Sequence, residues 1–180
     1  SLTDTGTINL AGKLNANVNG DGLFNVKSSS AVINGDITGS NLSFEADHSL
    51  SKAVNGSIGD LASLNVKKGT LTFDKSVASI NNLNVDGTLD IGTNTITATT
   101  ANFNDNSKLA LKIASADTFG KVNADTINIG DKTTMNVTLD ILDKLNEILD
   151  NNTIVTDVCS LKEFVSKKSY NYKFIPSHPM

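Results

Sequence analysis

The sequence predicts an all-β protein: a parallel β-helix (β-solenoid, about 18–20 residues per coil) over residues 1–139, closed by a C-terminal α/β cap over residues 140–180. Three observations carry this reading. Short runs of alternating apolar and polar residues follow one another from the N-terminus. The same apolar types return at a spacing near 19 residues. At Asp140 the alternation stops and a helical spacing replaces it.

The runs are Thr-Ile-Asn-Leu (7–10), Leu-Phe-Asn-Val (23–26), Asn-Leu-Ser-Phe (41–44), Ser-Leu-Asn-Val (63–66), Thr-Leu-Thr-Phe (70–73), Asn-Leu-Asn-Val (82–85), Thr-Leu-Asp-Ile (88–91), Thr-Ile-Asn-Ile (126–129) and Met-Asn-Val-Thr-Leu (135–139). Each has the period of two expected of a strand with one buried face. Asn-Gly, Asp-Gly, Lys-Gly and Gly-Asp pairs between them supply turns. Leu14 and Ile33, Val18 and Ile37, Leu64 and Leu83, and Val66 and Val85 are each 19 apart, as are successive members of Leu23, Leu42 and Leu61. Leu71 to Leu89 is 18, Leu89 to Leu109 is 20, and Leu109 to Ile127 is 18.

A coil of that length fits two or three short strands with tight turns. Equivalent side chains then stack, with Leu, Val, Ile and Phe filling a narrow bore. Outward Asn and Thr are expected to form hydrogen-bonded rows from coil to coil, and the backbone pairing between coils is parallel. An antiparallel sandwich is the competing reading, because Asn-Gly at 19–20, 34–35 and 55–56 is a common hairpin signal. The flanking stretches do not pair as strands of equal length. Seven Phe and two Tyr are also few for a sandwich core.

In the tail, Ile141, Leu142, Leu145, Ile148 and Leu149 form one helical face, with Asp140 as N-cap and Asn151 as the stop. Residues 153–156 read as a strand, 161–165 as a helical turn and 170–174 as a last strand. A solenoid needs an atypical terminal unit to cover its open end, so a cap is preferred to a partner-binding helix.

Composition excludes more than it identifies. There are 15 Lys but no Arg, 16 Asp against 3 Glu, and 23 Asn, 19 Thr and 18 Ser, with a net charge of -4. A nucleic-acid binder would need a basic, Arg-rich face. No apolar run is long enough to span a bilayer as a helix, so no membrane insertion by this segment is expected. The chain begins at Ser1 without a signal-peptide pattern, which reads as a piece of something longer.

Chemistry-bearing residues are sparse. Cys159 is either a small buried hydrophobe or a thiol paired outside the chain. One Cys and two His, His48 and His178, cannot close a zinc site without several carboxylates. Asn17-Val-Asn19-Gly-Asp21-Gly22 matches the first half of a calcium loop. Position 12 is Ser28 rather than Glu, which favours a Gly-rich turn between coils. His48 lies between Asp47 and Ser49, but neighbours on a strand point to different sides. No catalytic, cofactor-binding or metal residue is assigned, and the expectation is a protein that is not an enzyme.

Residues 64–73, 82–92 (Asn-Leu-Asn-Val-Asp-Gly-Thr-Leu-Asp-Ile-Gly) and 119–130 resemble passenger domains of bacterial type V autotransporters. The phrase Asn-Leu-x-Val-x-x-Gly-Thr-Leu carries most of the likeness, which covers about 80 residues well and the first 60 loosely. The bias toward Asn, Lys and Ile without Arg resembles large surface antigens of rickettsia-like intracellular bacteria. The resemblance implies a right-handed β-helix exposed at the bacterial cell surface, anchored by an outer-membrane barrel outside this segment. It also implies a monomer that serves as adhesin or stalk toward a host-cell surface protein or glycan. The tail departs from that family's usual β-hairpin cap in carrying a helical pattern and a cysteine. A self-assembling β-helical scaffold of the bactofilin kind is the alternative, and a polysaccharide hydrolase a more distant one.

Overall fold

A computed structural model describes residues 1–48, 55–73, 75–139, 154–157 and 173–176. The chain divides into two compact units, Ser1–Thr138 and Leu139–Met180. The first coil holds β1 (Leu2–Asp4), β2 (Thr7–Leu10) and β3 (Lys13–Leu14), and the second repeats it as β4 (Val18–Gly20), β5 (Leu23–Val26) and β6 (Val32–Ile33). From the third coil on, the first two pieces fuse into one long strand. These are β7 (Ile37–Ala46), β8 (Ile58–Val66) with β9 (Thr70–Thr72), β10 (Val77–Val85) with β11 (Thr88–Gly92), β12 (Thr95–Phe103) with β13 (Lys108–Ile113), and β14 (Lys121–Ile129) with β15 (Thr134–Leu139). In the second unit β16 (Ile154–Asp157) and β17 (Lys173–Pro176) pair in parallel.

The first unit is a parallel β-solenoid. Its large sheet stacks in the order β1-β4-β7-β8-β10-β12-β14, with β2 and β5 alongside the first rungs; a second sheet stacks as β15-β13-β11-β9, and β3 pairs with β6. Among the described residues every regular element is a strand. The helical pattern at 141–149 and the turn at 161–165 lie outside the described residues, as do Cys159 and His178.

Two apolar columns run through the large sheet. One is Ile8–Phe24–Phe44–Leu64–Leu83–Ala101–Ile127; the other is Leu10–Val26–Ala46–Val66–Val85–Phe103–Ile129. The Phe24 and Phe44 rings stack at 5.8 Å, 16° from parallel. In four rungs the two columns compensate in volume, whereas Phe24 sits beside Val26 with both buried. Phe44 sits beside Ala46, Leu64 beside Val66, Leu83 beside Val85, and Ala101 beside Phe103, and all eight are buried. Such matching keeps the bore filled without strain.

The repeat is looser than the sequence spacing implies. Phe24 pairs with Phe44 at 20, Leu64 with Leu83 at 19 and Leu83 with Ala101 at 18. Leu14–Ile33, Val18–Ile37, Leu71–Leu89 and Leu89–Leu109 pair as expected. The expected column Leu23–Leu42–Leu61 does not exist: Leu23 pairs with Ser43, and Leu61 with Gly39 and Ile80. A sheet corner absorbs the difference. Gly39 (φ 153°), Asp60 (φ 53°) and Ser79 (φ 60°) lie together there, and the register shifts beside them. Leu109 and Ile127 belong to different sheets, because the last coil takes 26 residues from Phe103 to Ile129. Its extra length is an excursion in which Ile113 bridges Phe119 antiparallel and the Gly120 amide donates to the Lys112 carbonyl at 2.8 Å.

The Asn-Gly pairs at 34–35 and 55–56 are not hairpins. A Cβ on Gly35 would strike the backbone of Ala16 one coil below, and one on Gly56 would strike Gly35. Glycine is required where backbones approach this closely.

Volume compensation makes a prediction. Phe44→Leu should open a void and Ala46→Val should overpack, each costing about 1–3 kcal/mol. The double variant rebuilds the Leu64/Val66 rung and should recover at least about 1 kcal/mol of the summed loss, read from urea midpoints.

Candidate functional surface

Alternation turns every second side chain of the large sheet outward, and parallel register places it over its counterpart one coil away. The outcome is rows of amides. Asn84 Nδ2 donates to Asn65 Oδ1, Asn102 Nδ2 to Asn84 Oδ1 and Asn128 Nδ2 to Asn102 Oδ1, each at 2.8 Å. On another edge Asn34 Nδ2 donates to Asn15 Oδ1 and Asn55 Nδ2 to Asn34 Oδ1, both at 2.6 Å. Elsewhere a side-chain oxygen receives a backbone N–H of the following coil: Asn17 from Asp36 at 2.9 Å, Asp36 from Ser57 at 2.7 Å, Ser76 from Thr95 at 3.1 Å and Asp105 from Asp131 at 2.8 Å.

These rows account for the half calcium motif. Asn17 Oδ1 is taken by the Asp36 amide, Val18 points into the core, and Asp21 and Gly22 direct their backbone N–H groups to the Asp4 carbonyl at 2.8 and 3.0 Å. The loop is a coil corner. Asp4 beneath it is 2% exposed, and its Oδ1 accepts the Gly6 amide at 3.0 Å. Among the described residues no three His, Cys, Asp or Glu side chains come together to hold a metal ion. His48 is exposed, and Ser49 lies outside the described residues.

One ionic cluster stands at the edge of the large sheet. Asp47 lies between Lys27 and Lys68, with N–O distances of 3.4 Å to each. Desolvation raises the Asp47 carboxyl, but the Lys27 and Lys68 ammonium groups outweigh it and hold its pKa below the ordinary 3.8. One rung further, Asn104 Nδ2 donates to Asp86 Oδ1 at 2.7 Å.

Several concavities flank the stack. The 113–120 excursion walls a groove of about 680 Å³ lined by Thr72, Asp90, Asn94, Lys112 and Thr118 among others. Asp90 is the one carboxylate among its described lining residues, and it already accepts the Gly92 amide at 3.1 Å. That arrangement lacks the second carboxylate of a glycoside-hydrolysing pair. The excursion is longer than the tight turns that an 18–20-residue coil predicts, and the polar run Ser-Ala-Asp-Thr at 115–118 is its signal in the sequence. At the last rung an apolar hollow of about 270 Å³ is lined by Phe103, Leu109, Val122, Ile127, Ile129 and Met135. Ile129 is 70% and Met135 58% exposed.

No protein-family model, curated protein or solved structure matches the chain.

Breaking the row at Asn84 should be felt on both sides. Asn84→Ala leaves Asn65 Oδ1 and Asn102 Nδ2 without partners and should cost about 1–3 kcal/mol in denaturant unfolding. Alanine at the exposed Asn81 should stay within about 0.5 kcal/mol of wild type.

The lowered Asp47 pKa fixes a pH dependence. Stabilisation by this carboxylate is fully present above the ordinary value of 3.8 and is lost as pH falls through the lowered folded value. Urea midpoints should therefore separate wild type from Asp47→Asn at neutral pH, and the two should converge on acidification. High salt should also narrow the gap.

Proposed function

We propose that the chain is a structural and adhesive segment of a bacterial autotransporter passenger, a right-handed β-helical stalk at the cell surface. The single observation that supports this reading is the outer face: hydrogen-bonded amide rows repeated from coil to coil, with polar groups spread along the stack rather than converged on one point. Surfaces of this kind suit broad contact with a host-cell surface protein or glycan. The outer-membrane barrel that anchors such passengers lies outside this segment in this reading. The segment is a monomer in this reading and carries out no catalysis.

The second reading, a self-assembling β-helical scaffold, draws on the exposed Ile127, Ile129 and Met135 at the last rung. It predicts concentration-dependent sedimentation, where the stalk predicts a single slow species.

External protease added to intact source cells should remove the signal of an antibody raised against residues 55–139. Retention of that signal until the cells are lysed would overturn the surface assignment.

A further inference from the structure

The groove beside the 113–120 excursion is lined by groups that the fold already holds in place. Its floor is the turn at 90–94, where β11 ends. Asp90 Oδ1 accepts the Gly92 backbone N–H at 3.1 Å, and the Asn94 backbone N–H donates to the Ile91 carbonyl at 2.8 Å. Asn94 Nδ2 donates to the Phe73 carbonyl one coil earlier at 3.0 Å. The Asn94 carbonyl accepts the Lys121 backbone N–H one coil later at 3.1 Å. The turn is thus fastened to the coils on both sides. The excursion is fastened too: the Ala114 backbone N–H donates to the Thr118 carbonyl at 2.8 Å, and a Cβ on Gly120 would strike the Gly92 carbonyl.

What these bonds leave over decides the chemistry. Among the described residues, the second carboxylate oxygen of Asp90 and the Oδ1 of Asn94 accept no hydrogen bond. Two oriented acceptors therefore stand on either side of Gly92. Thr72, Thr93 and Thr118 add hydroxyls, which both donate and accept. Register sets Thr72 one coil before Asp90 and Ala110 one coil after it, and alanine is too small to cover the carboxylate. Leu111, partly buried and paired with Gly92, supplies an apolar patch.

Charge does not select the ligand. Asp90 and Lys112 are the charged side chains among the described lining residues, and they are of opposite sign. The floor offers no strand edge to a peptide either, because β11 is paired with β9 and β13, and β13 with β11 and β15. A volume of about 680 Å³ lies within the ordinary range of small-molecule sites.

We propose that this groove binds a neutral sugar unit of a glycan. Sugar hydroxyls donate to Asp90 and to Asn94 Oδ1 and accept from the threonine hydroxyls, while a C–H face of the ring rests on Leu111. The inference rests on the adhesive reading above and names its ligand class. Phe73 is 6% exposed and cannot stack on the ring, so a single site binds with a Kd on the order of millimolar.

The test is a backbone-amide chemical-shift titration of the full chain with cellobiose, maltose, lactose and N,N′-diacetylchitobiose, each to about 50 mM, and with sialyllactose and a heparin disaccharide as charged probes. At least one neutral disaccharide should give saturable shifts confined to residues 90–94 and 110–120. Asp90→Ala and Asn94→Ala should each weaken binding about 10-fold or more, the size of one lost hydrogen bond to an oriented acceptor. Ala110→Leu fills the space over Asp90 without removing a polar group and should abolish binding. Asn81→Ala, in a different concavity, should bind as wild type does. If the Asp90 or Asn94 variant fails to fold, Ala110→Leu decides. The proposal is overturned by no saturable shift from any of the four neutral sugars, by shifts centred elsewhere, by a response to the charged probes alone, or by undiminished binding in Ala110→Leu. The protease experiment on intact cells fails independently. Surface exposure without sugar binding overturns the groove alone, and sugar binding by a protein never exposed overturns the surface assignment alone.

Discussion

Vertical register is the constraint from which the rest of the first unit follows. A coil's backbone hydrogen bonds go to the coils before and after it, so each side chain must sit on its counterpart. Inward positions then have to be filled in columns, and from the third rung on a change of size at one position is balanced within the rung. Phe44 with Ala46 and Ala101 with Phe103 are the same solution written in opposite order. Outward positions have to be occupied by groups that tolerate a neighbour at hydrogen-bond distance. Asparagine does this best, because its amide carries both a donor and an acceptor. Close backbone approach at the corner settles Gly35 and Gly56 for the same reason.

Where alternation and size were both plain, the sequence could be read directly into pairs, as at Leu14 and Ile33, Leu64 and Leu83, or Leu71 and Leu89. It misled at Leu23, Leu42 and Leu61, because an equal spacing of 19 says nothing about the extra residue taken up at the Gly39–Asp60–Ser79 corner. β12 carries no such alternating apolar signal. Its inward residues include Ala98 and Ala101, too small to mark an apolar face, and its outward residues are mostly threonine. The excursion at 113–120 was hidden because Leu109 and Ile127 happen to repeat the expected spacing while lying on different sheets. Abundant asparagine announced the amide rows, but which amide meets which depended on register.

The same one-dimensional logic governs energetics. Each coil touches only the next, so a defect is felt locally and not shared across a globular core. Interior rungs bury both faces of their columns, whereas Ile127 and Ile129 have a neighbour on one side only among the described residues. The last turn of the stack takes 26 residues and also carries the groove beside the excursion, so the solenoid's departure from repetition coincides with a side concavity of about 680 Å³.

The amide rows have a direction. At Asn34, Asn55, Asn84, Asn102 and Asn128 the Nδ2 group always donates toward the earlier coil, and the oxygen always faces the later one. Side-chain dipoles that would cancel in a disordered surface therefore add along the stack, and each bond polarises the next. The solenoid thus carries an electrical axis on its exterior, independent of any net charge. Its positive end lies toward the first coils and its negative end at the Asn128 carbonyl oxygen, much as aligned peptide units give an α-helix its poles.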